Sequence, residues 1–335
     1  MPHRRVAAGR ALAASLAASL GLLLTACASW PGAARRPAWW GFAAPWDPRS
    51  DASLVTHGPA LDAAVTGWLV LDTLRLTPSP LFADTLAAGR PWARRRFALV
   101  TSYQGERFHP ETIRRLAADA SALATAAAAL GHHLRAGQYR GAIFDFEALA
   151  VDDLPALRRV LQAFVPAARA AGAQRVALAI PAADSAYPAR PLAEDVDDLV
   201  VMLYDQHWAG GGPGPVAAPD WVARTLEARL AEVPARRLVA ALPLYGYHWP
   251  ATGPAAVVGP ADAERVAAAA GLPLALDARS LHRTVEFPGG GAIWVADEAL
   301  LARLLDDVHR LGITRVAFWR LGLETDRFWA LRRSP

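Results

Sequence analysis

Sulfur is scarce in this sequence and lysine is missing: 335 residues include 1 cysteine, and all 35 basic side chains are arginines. A single thiol excludes an internal disulfide, a CxxC redox pair and a thiolate metal cage. Net charge is small too. The excess of 35 basic over 31 acidic residues includes Arg4, Arg5 and Arg10 in an N-terminal stretch without acids, so the remaining chain is close to balance. With no basic block, no nucleic-acid partner is expected. No GxGxxG follows the first strand-like run and no P-loop occurs, which removes the usual dinucleotide and nucleotide-phosphate sites. His132 and His133 are adjacent, the wrong spacing for two ligands on one helical face, and neither a metal nor a cofactor is expected. The composition, 53% hydrophobic and 20% charged, suits a globular core and resembles neither a disordered nor a multispan membrane chain.

The N-terminus reads MPHRR, then an apolar run from Ala11 to Ala26, then Cys27. A basic head with an apolar body of about 15 residues is the pattern of a secretory signal, too short for a membrane span. The junction Leu24-Thr25-Ala26-Cys27 resembles the bacterial lipoprotein box. This implies a signal peptide over residues 1–26, lipid on Cys27 and a tether over 27–38, rich in Ala, Pro, Gly and Arg. The expected location is the cell envelope, as a membrane-anchored lipoprotein facing the periplasm or the exterior. Ala28 after the cysteine points to the outer membrane in a Gram-negative cell. The alternative is an ordinary secretory signal with Cys27 as a bystander.

Residues 39–335 contain eight apolar runs of strand length, mostly separated by helical patterns, the signature of repeated βα units around a parallel sheet. The runs are 40–45, 64–72, 97–103, 141–147, 176–181, 198–204, 238–245 and 315–321. A helix is expected from Pro110 to a stop at Gly131, and another from an Asp297 cap to Gly312. Leu154, Leu157, Leu161 and Phe164 mark a third. The first two connections look short and weakly helical. Eight strands without a dinucleotide motif favour closure into a (β/α)8 TIM barrel, with an α+β insertion at about 249–296 between strands 7 and 8.

In such a barrel the working residues project from the carboxyl ends of the strands. The fourth run ends Ile143-Phe144-Asp145-Phe146-Glu147, and alternation places Ile143, Asp145 and Glu147 on the inner face. Ionised groups there are costly without a partner or a task, so the pair is either an internal ion-pair half or a reactive site. The sixth run ends Met202-Leu203-Tyr204-Asp205, the seventh reaches Tyr245 and Trp249, and the eighth carries Trp319. With Trp46 and Trp208 these crowd one rim. Flat rings among hydroxyls and carboxylates suit sugars, which present C–H faces and hydroxyl edges. His207 and His248 also lie at this mouth and read as solvated loop residues.

These strand ends resemble glycoside hydrolase family 18, the chitinase-like barrels. Arg140 to Glu147 aligns with the strand-four signature D-x-x-D-x-D-x-E through Gly141, Asp145, Phe146 and Glu147. Met202, Tyr204 and Asp205 match M-x-Y-D outright. The PLYGYHW, IWVAD and FWRLGLE stretches resemble the branch with spore-cortex-lytic and related envelope enzymes. The resemblance implies Glu147 as general acid and then base. Asp145 would orient a 2-acetamido group and Tyr204 would hydrogen-bond its carbonyl. Asp205 would contact the sugar or tune Glu147, and Trp319 would floor the site. Met202, Tyr245, Trp46 and Trp208 complete the expected substrate-binding set. Arg140 and Ile143 replace acids of the long signature; Ile143 cannot share a proton with Asp145, which would leave Asp145 in one orientation.

Asp145 and Glu147 sit two residues apart, about 7 Å between α-carbons, on one side of any bound sugar. For this placement the resemblance implies the family's substrate-assisted retaining mechanism, in which the acetamido oxygen attacks. The expected function is hydrolysis of β-linked N-acetylglucosamine-containing glycans, peptidoglycan or chitin-type, by a protein held to a membrane through Cys27. The alternative is a lectin-like envelope lipoprotein that binds such glycans without cutting them. Nothing in the sequence calls for an obligate protein partner.

Overall fold

The computed structural model describes residues 36–84 and 89–332. The expected leader, Cys27 and most of the tether lie outside these. Eight parallel strands close on themselves: β1 (Ala38–Phe42), β2 (Ala63–Leu71), β3 (Arg96–Thr101), β4 (Gly141–Asp145), β5 (Arg175–Pro181), β6 (Asp198–Met202), β7 (Leu238–Pro243) and β8 (Arg315–Trp319). Each pairs with the next, and β8 pairs with β1, Trp40 lying opposite Ala317. The eight-stranded barrel expected from the apolar runs is therefore the observed fold.

Two apolar layers follow from strand alternation. Phe42, Val65, Leu99, Ile143, Ala179, Val200 and Ala241 fill the barrel interior. Ala142, Phe144 and Phe146 face outward, where Phe144 and Phe146 meet Phe164 of the helix Leu154–Ala170. That helix buries Leu157, Leu161 and Phe164 along one stripe, as its spacing predicts.

Three local expectations change. The helix beginning at Pro110 does not run to Gly131; it ends at Ala118, and Asp119 caps a second helix, Ala120–Ala136, by accepting from the Ser121 and Ala122 amides. Gly131 is inside that second helix and buried. The helix stops instead at Gly137. The first connection carries a ten-residue helix, Pro48–His57, because Asp47 caps it and Pro48 occupies its first turn. Among its described residues the second connection has a short 3-10 turn over Pro91–Arg95 and a strand, Pro78–Pro80, antiparallel to β2.

The insertion between β7 and β8 is an α+β lobe: a five-stranded antiparallel sheet and the helix Pro260–Ala269. Its first strand is Gly246–Pro250, so it begins three residues earlier than the hydrophobic pattern suggests. A Cβ at Gly246 would fall 1.9 Å from the Trp294 carbonyl oxygen. Glycine thus lets the chain pass directly from barrel to lobe.

Candidate active site

A cavity of ≈ 330 Å³ opens at the carboxyl end of the barrel. Strand alternation continues past β4, so Asp145 and Glu147 both face it while Phe146 stays buried outside. Ala148 follows in the left-handed region at φ 59°. The buried Tyr187 secures this turn: its hydroxyl donates to the Phe146 carbonyl at 2.8 Å and accepts from the Leu149 amide at 3.2 Å. The floor is apolar, made by Leu99, Ala179, Val200 and Met202.

The two carboxyls hydrogen-bond to one another. Burial raises the Glu147 carboxyl far above the usual range, and the negative charge of Asp145 raises it further. Burial also raises Asp145, against hydrogen bonds from Thr101 and Glu147 that favour its anion. Thr101 Oγ1 donates to Asp145 Oδ2 at 3.0 Å. The shared proton therefore belongs on Glu147.

Asp205 takes a left-handed backbone, φ 58°, and lines the cavity from just beyond β6. Two phenols converge on one of its oxygens: Tyr245 donates to Oδ1 at 2.5 Å and Tyr247 at 2.9 Å. Burial raises the Asp205 carboxyl and these hydrogen bonds pull it back. Tyr204 stands against Trp319, their rings nearly parallel with centroids 6.5 Å apart. Phe42 and Trp68 also meet Trp319, at 5.7 and 6.1 Å. Trp46 crosses Trp68 edge-on at 4.9 Å, with the Arg320 guanidinium 5.7 Å from its ring.

Of the residues expected from sequence, Asp145, Glu147, Met202, Tyr204, Asp205, Trp46 and Trp319 line one cavity. Tyr245 is buried behind it and reaches it through Asp205. Trp208 lies outside the lining, 57% exposed. Arg140 is exposed just before β4, at the end of the strand away from the cavity, and Ile143 is packed in the barrel interior. The cavity also contains residues that the strand-end reading passed over: Phe42, Trp68, Thr101, Tyr103 and Phe108. Tyr103 and Phe108 pair across a small hairpin after β3. The polar residue ending the run Phe97-Ala-Leu-Val-Thr101 was the available signal.

No protein-family model matches the chain. A curated relative from Bacillus subtilis (strain 168), "Putative sporulation-specific glycosylase YdhD", is 27% identical over 173 residues, 48% of this chain and 40% of that protein. The match therefore spans less than half of that relative's length. Among solved structures, a chitinase from Chromobacterium violaceum superposes with a TM-score of 0.79 at 21% identity, over 89% of this chain and 98% of the other. The spore cortex-lytic enzyme SleL of Bacillus cereus gives 0.80 at 18% identity, over 90% and 75%. These likenesses agree with the strand order described above: the chain folds as a chitinase-like (β/α)8 barrel.

Proposed function

We propose that this chain is an envelope-tethered glycoside hydrolase that cleaves β-linked N-acetylglucosamine-containing glycans, peptidoglycan or chitin-type. In this reading the substrate's own acetamido oxygen is the nucleophile. The observation that carries it is the placement of Asp145 and Glu147 side by side on one wall of an aromatic-lined cavity, sharing a hydrogen bond. Asp205, the remaining carboxylate on the wall, has one oxygen occupied by two phenols, which makes it a poor nucleophile. The fold shared with a chitinase and a spore cortex-lytic enzyme supports the substrate class. Envelope tethering rests on the leader and on Cys27, which lie outside the described residues.

Each side chain then has one task. Glu147, protonated, gives its proton to the glycosidic oxygen as the C–O bond breaks. The acetamido carbonyl oxygen bonds to the anomeric carbon, giving a cyclic oxazolinium ion. The Asp145 carboxylate accepts the acetamide N–H and offsets the positive charge, while Tyr204 donates to the acetamide oxygen. Water, losing a proton to Glu147, then attacks the anomeric carbon from the face the leaving group left. The bond from that carbon to the acetamido oxygen breaks, and the acetamide and the β-configuration are restored. Trp319 and Trp46 offer flat surfaces to sugar C–H faces.

A panel of acetylated and deacetylated glycans, including purified peptidoglycan and N-acetylglucosamine oligomers, tests the reading. New reducing ends from acetylated members alone, first formed as the β-anomer, are expected. Equal rates with and without the acetamido group, or inversion, would overturn the mechanism. If wild type and Glu147→Gln bind alike and neither cuts any member, the barrel is a glycan-binding protein.

A further inference from the structure

We propose that Thr101 is a positioning residue that holds the Asp145 carboxylate in a single, ionised orientation and so leaves the shared proton on Glu147. The inference rests on the hydrolase reading for its kinetic consequences, but its structural content does not. Parallel register between β3 and β4 places Thr101 directly beside Asp145. The Thr101 hydroxyl accepts from the Tyr103 amide at 3.0 Å. Its proton is thereby directed away from Tyr103 and onto Asp145 Oδ2, 3.0 Å away. Thr101 is 2% exposed, which restricts the hydroxyl to this relay of amide, hydroxyl and carboxylate.

A hydroxyl that donates in this way favours the anion over the acid. The other groups around Asp145 do not compete for that role. Ile143, the next inward residue on the same face, is apolar and packed among barrel side chains. Glu147, two residues further along the same face, supplies the second hydrogen bond. Tyr204 and Asp205 approach from beyond β6, and Asp184 and Tyr187 from beyond β5. Among the described residues the groups acting on Asp145 include no arginine. Thr101 is therefore the neutral donor that offsets the burial of this carboxylate without offering it a proton.

The test uses Thr101→Val, which keeps the branched shape, and Thr101→Ala as a second removal should the first misfold. Thr101→Ser preserves the hydroxyl. The first readout is a carbon-13 NMR titration of labelled aspartate carboxyls in the full chain, with the Asp145 signal assigned by Asp145→Asn. The Asp145 transition is expected at higher pH in Thr101→Val and Thr101→Ala, and at its wild-type position in Thr101→Ser. The second readout is kinetic: loss of a charge-assisted hydrogen bond is expected to lower kcat about 10- to 100-fold and move the acidic limb of the pH–rate profile upward. KM should change little, and Thr101→Ser should restore most of the rate. An Asp145 titration unmoved in both removal variants would overturn the proposal whatever the rates do. A moved titration in a protein that hydrolyses no glycan would sink the hydrolase reading and leave the positioning role standing.

Discussion

The two ends of β6 treat buried carboxylates in opposite ways. At its amino end Asp198 has no exposed side-chain surface and lies between two guanidinium groups, Arg175 at 2.5 Å and Arg315 at 2.8 Å. Burial raises its carboxyl and the two arginines pull it back. Just beyond the carboxyl end of β6, Asp205 faces the cavity with two phenols as its donors among the described residues, and on the same lining Asp145 and Glu147 have one another. A buried carboxylate with cations nearby holds a fold together, because removing it strands the cations. A buried carboxyl without them is kept protonated or strained toward protonation, which is a condition for acid–base chemistry.

Glu147→Gln is the sharpest way to break that comparison. It should lower kcat by about a thousandfold while leaving the thermal midpoint at neutral pH no lower than wild type, since an amide carries no buried charge. Rates on an acetylated oligomer and a melting curve decide it; a large loss of stability would mean Glu147 is structural. The mirror experiment is Asp198→Asn, which leaves Arg315 without its buried partner. Chemical denaturation should show a loss of about 3 kcal/mol, with kcat per folded molecule close to wild type.

A pH series sharpens the same contrast with a smaller effect. Glu147 must hold a proton to act as an acid, so kcat falls as pH rises through its raised pKa. Asp145 must be ionised, so kcat also falls as pH drops through the value set by burial against its two hydrogen bonds. The bell should therefore extend further into alkali than an ordinary glutamate acid allows. Stability follows the same sign for Glu147: a folded-state pKa above the unfolded one contributes stability at low pH that is lost as pH rises through the folded value. Melting curves of wild type and Glu147→Gln should converge in acid and separate toward alkali.

Much of this was legible in the chain because strand physics is local. Each of the eight apolar runs starts within two residues of its strand, and a period of two put Asp145 and Glu147 on one face without knowledge of the barrel. Thr101 was harder to see, since its importance comes from the register of β3 against β4, a nonlocal fact. The break at Asp119 was hidden by an alanine-rich sequence whose apolar stripe runs through it; only the cap chemistry of Asp119 marks it. Tyr247 follows the expected Tyr245 by two residues, and both donate to Asp205 because the lobe's first strand continues directly from β7.

Two exposed tryptophans offer the finest comparison, because sequence alone treats them as equals. Trp46 is 48% exposed and Trp208 57%, yet their settings differ. Trp46 lines the cavity and is held by Trp68, Phe82 and the Arg320 guanidinium, so its ring is already oriented for a sugar face. Trp208 lies over Gly210 in a glycine-rich turn closed by the Gly211 amide on its own carbonyl, away from the lining. Trp46→Ala should raise KM about three- to tenfold on short oligomers, the scale of one aromatic contact. Trp208→Ala should change it less than about twofold, as for a surface residue without partners at the site. Measuring both across oligomers of increasing length separates the two settings. A Trp208 effect that appears only with longer chains would extend the binding surface over the loop beyond β6, whereas equal effects on the shortest substrate would show that the cavity walls alone do not define where the glycan sits.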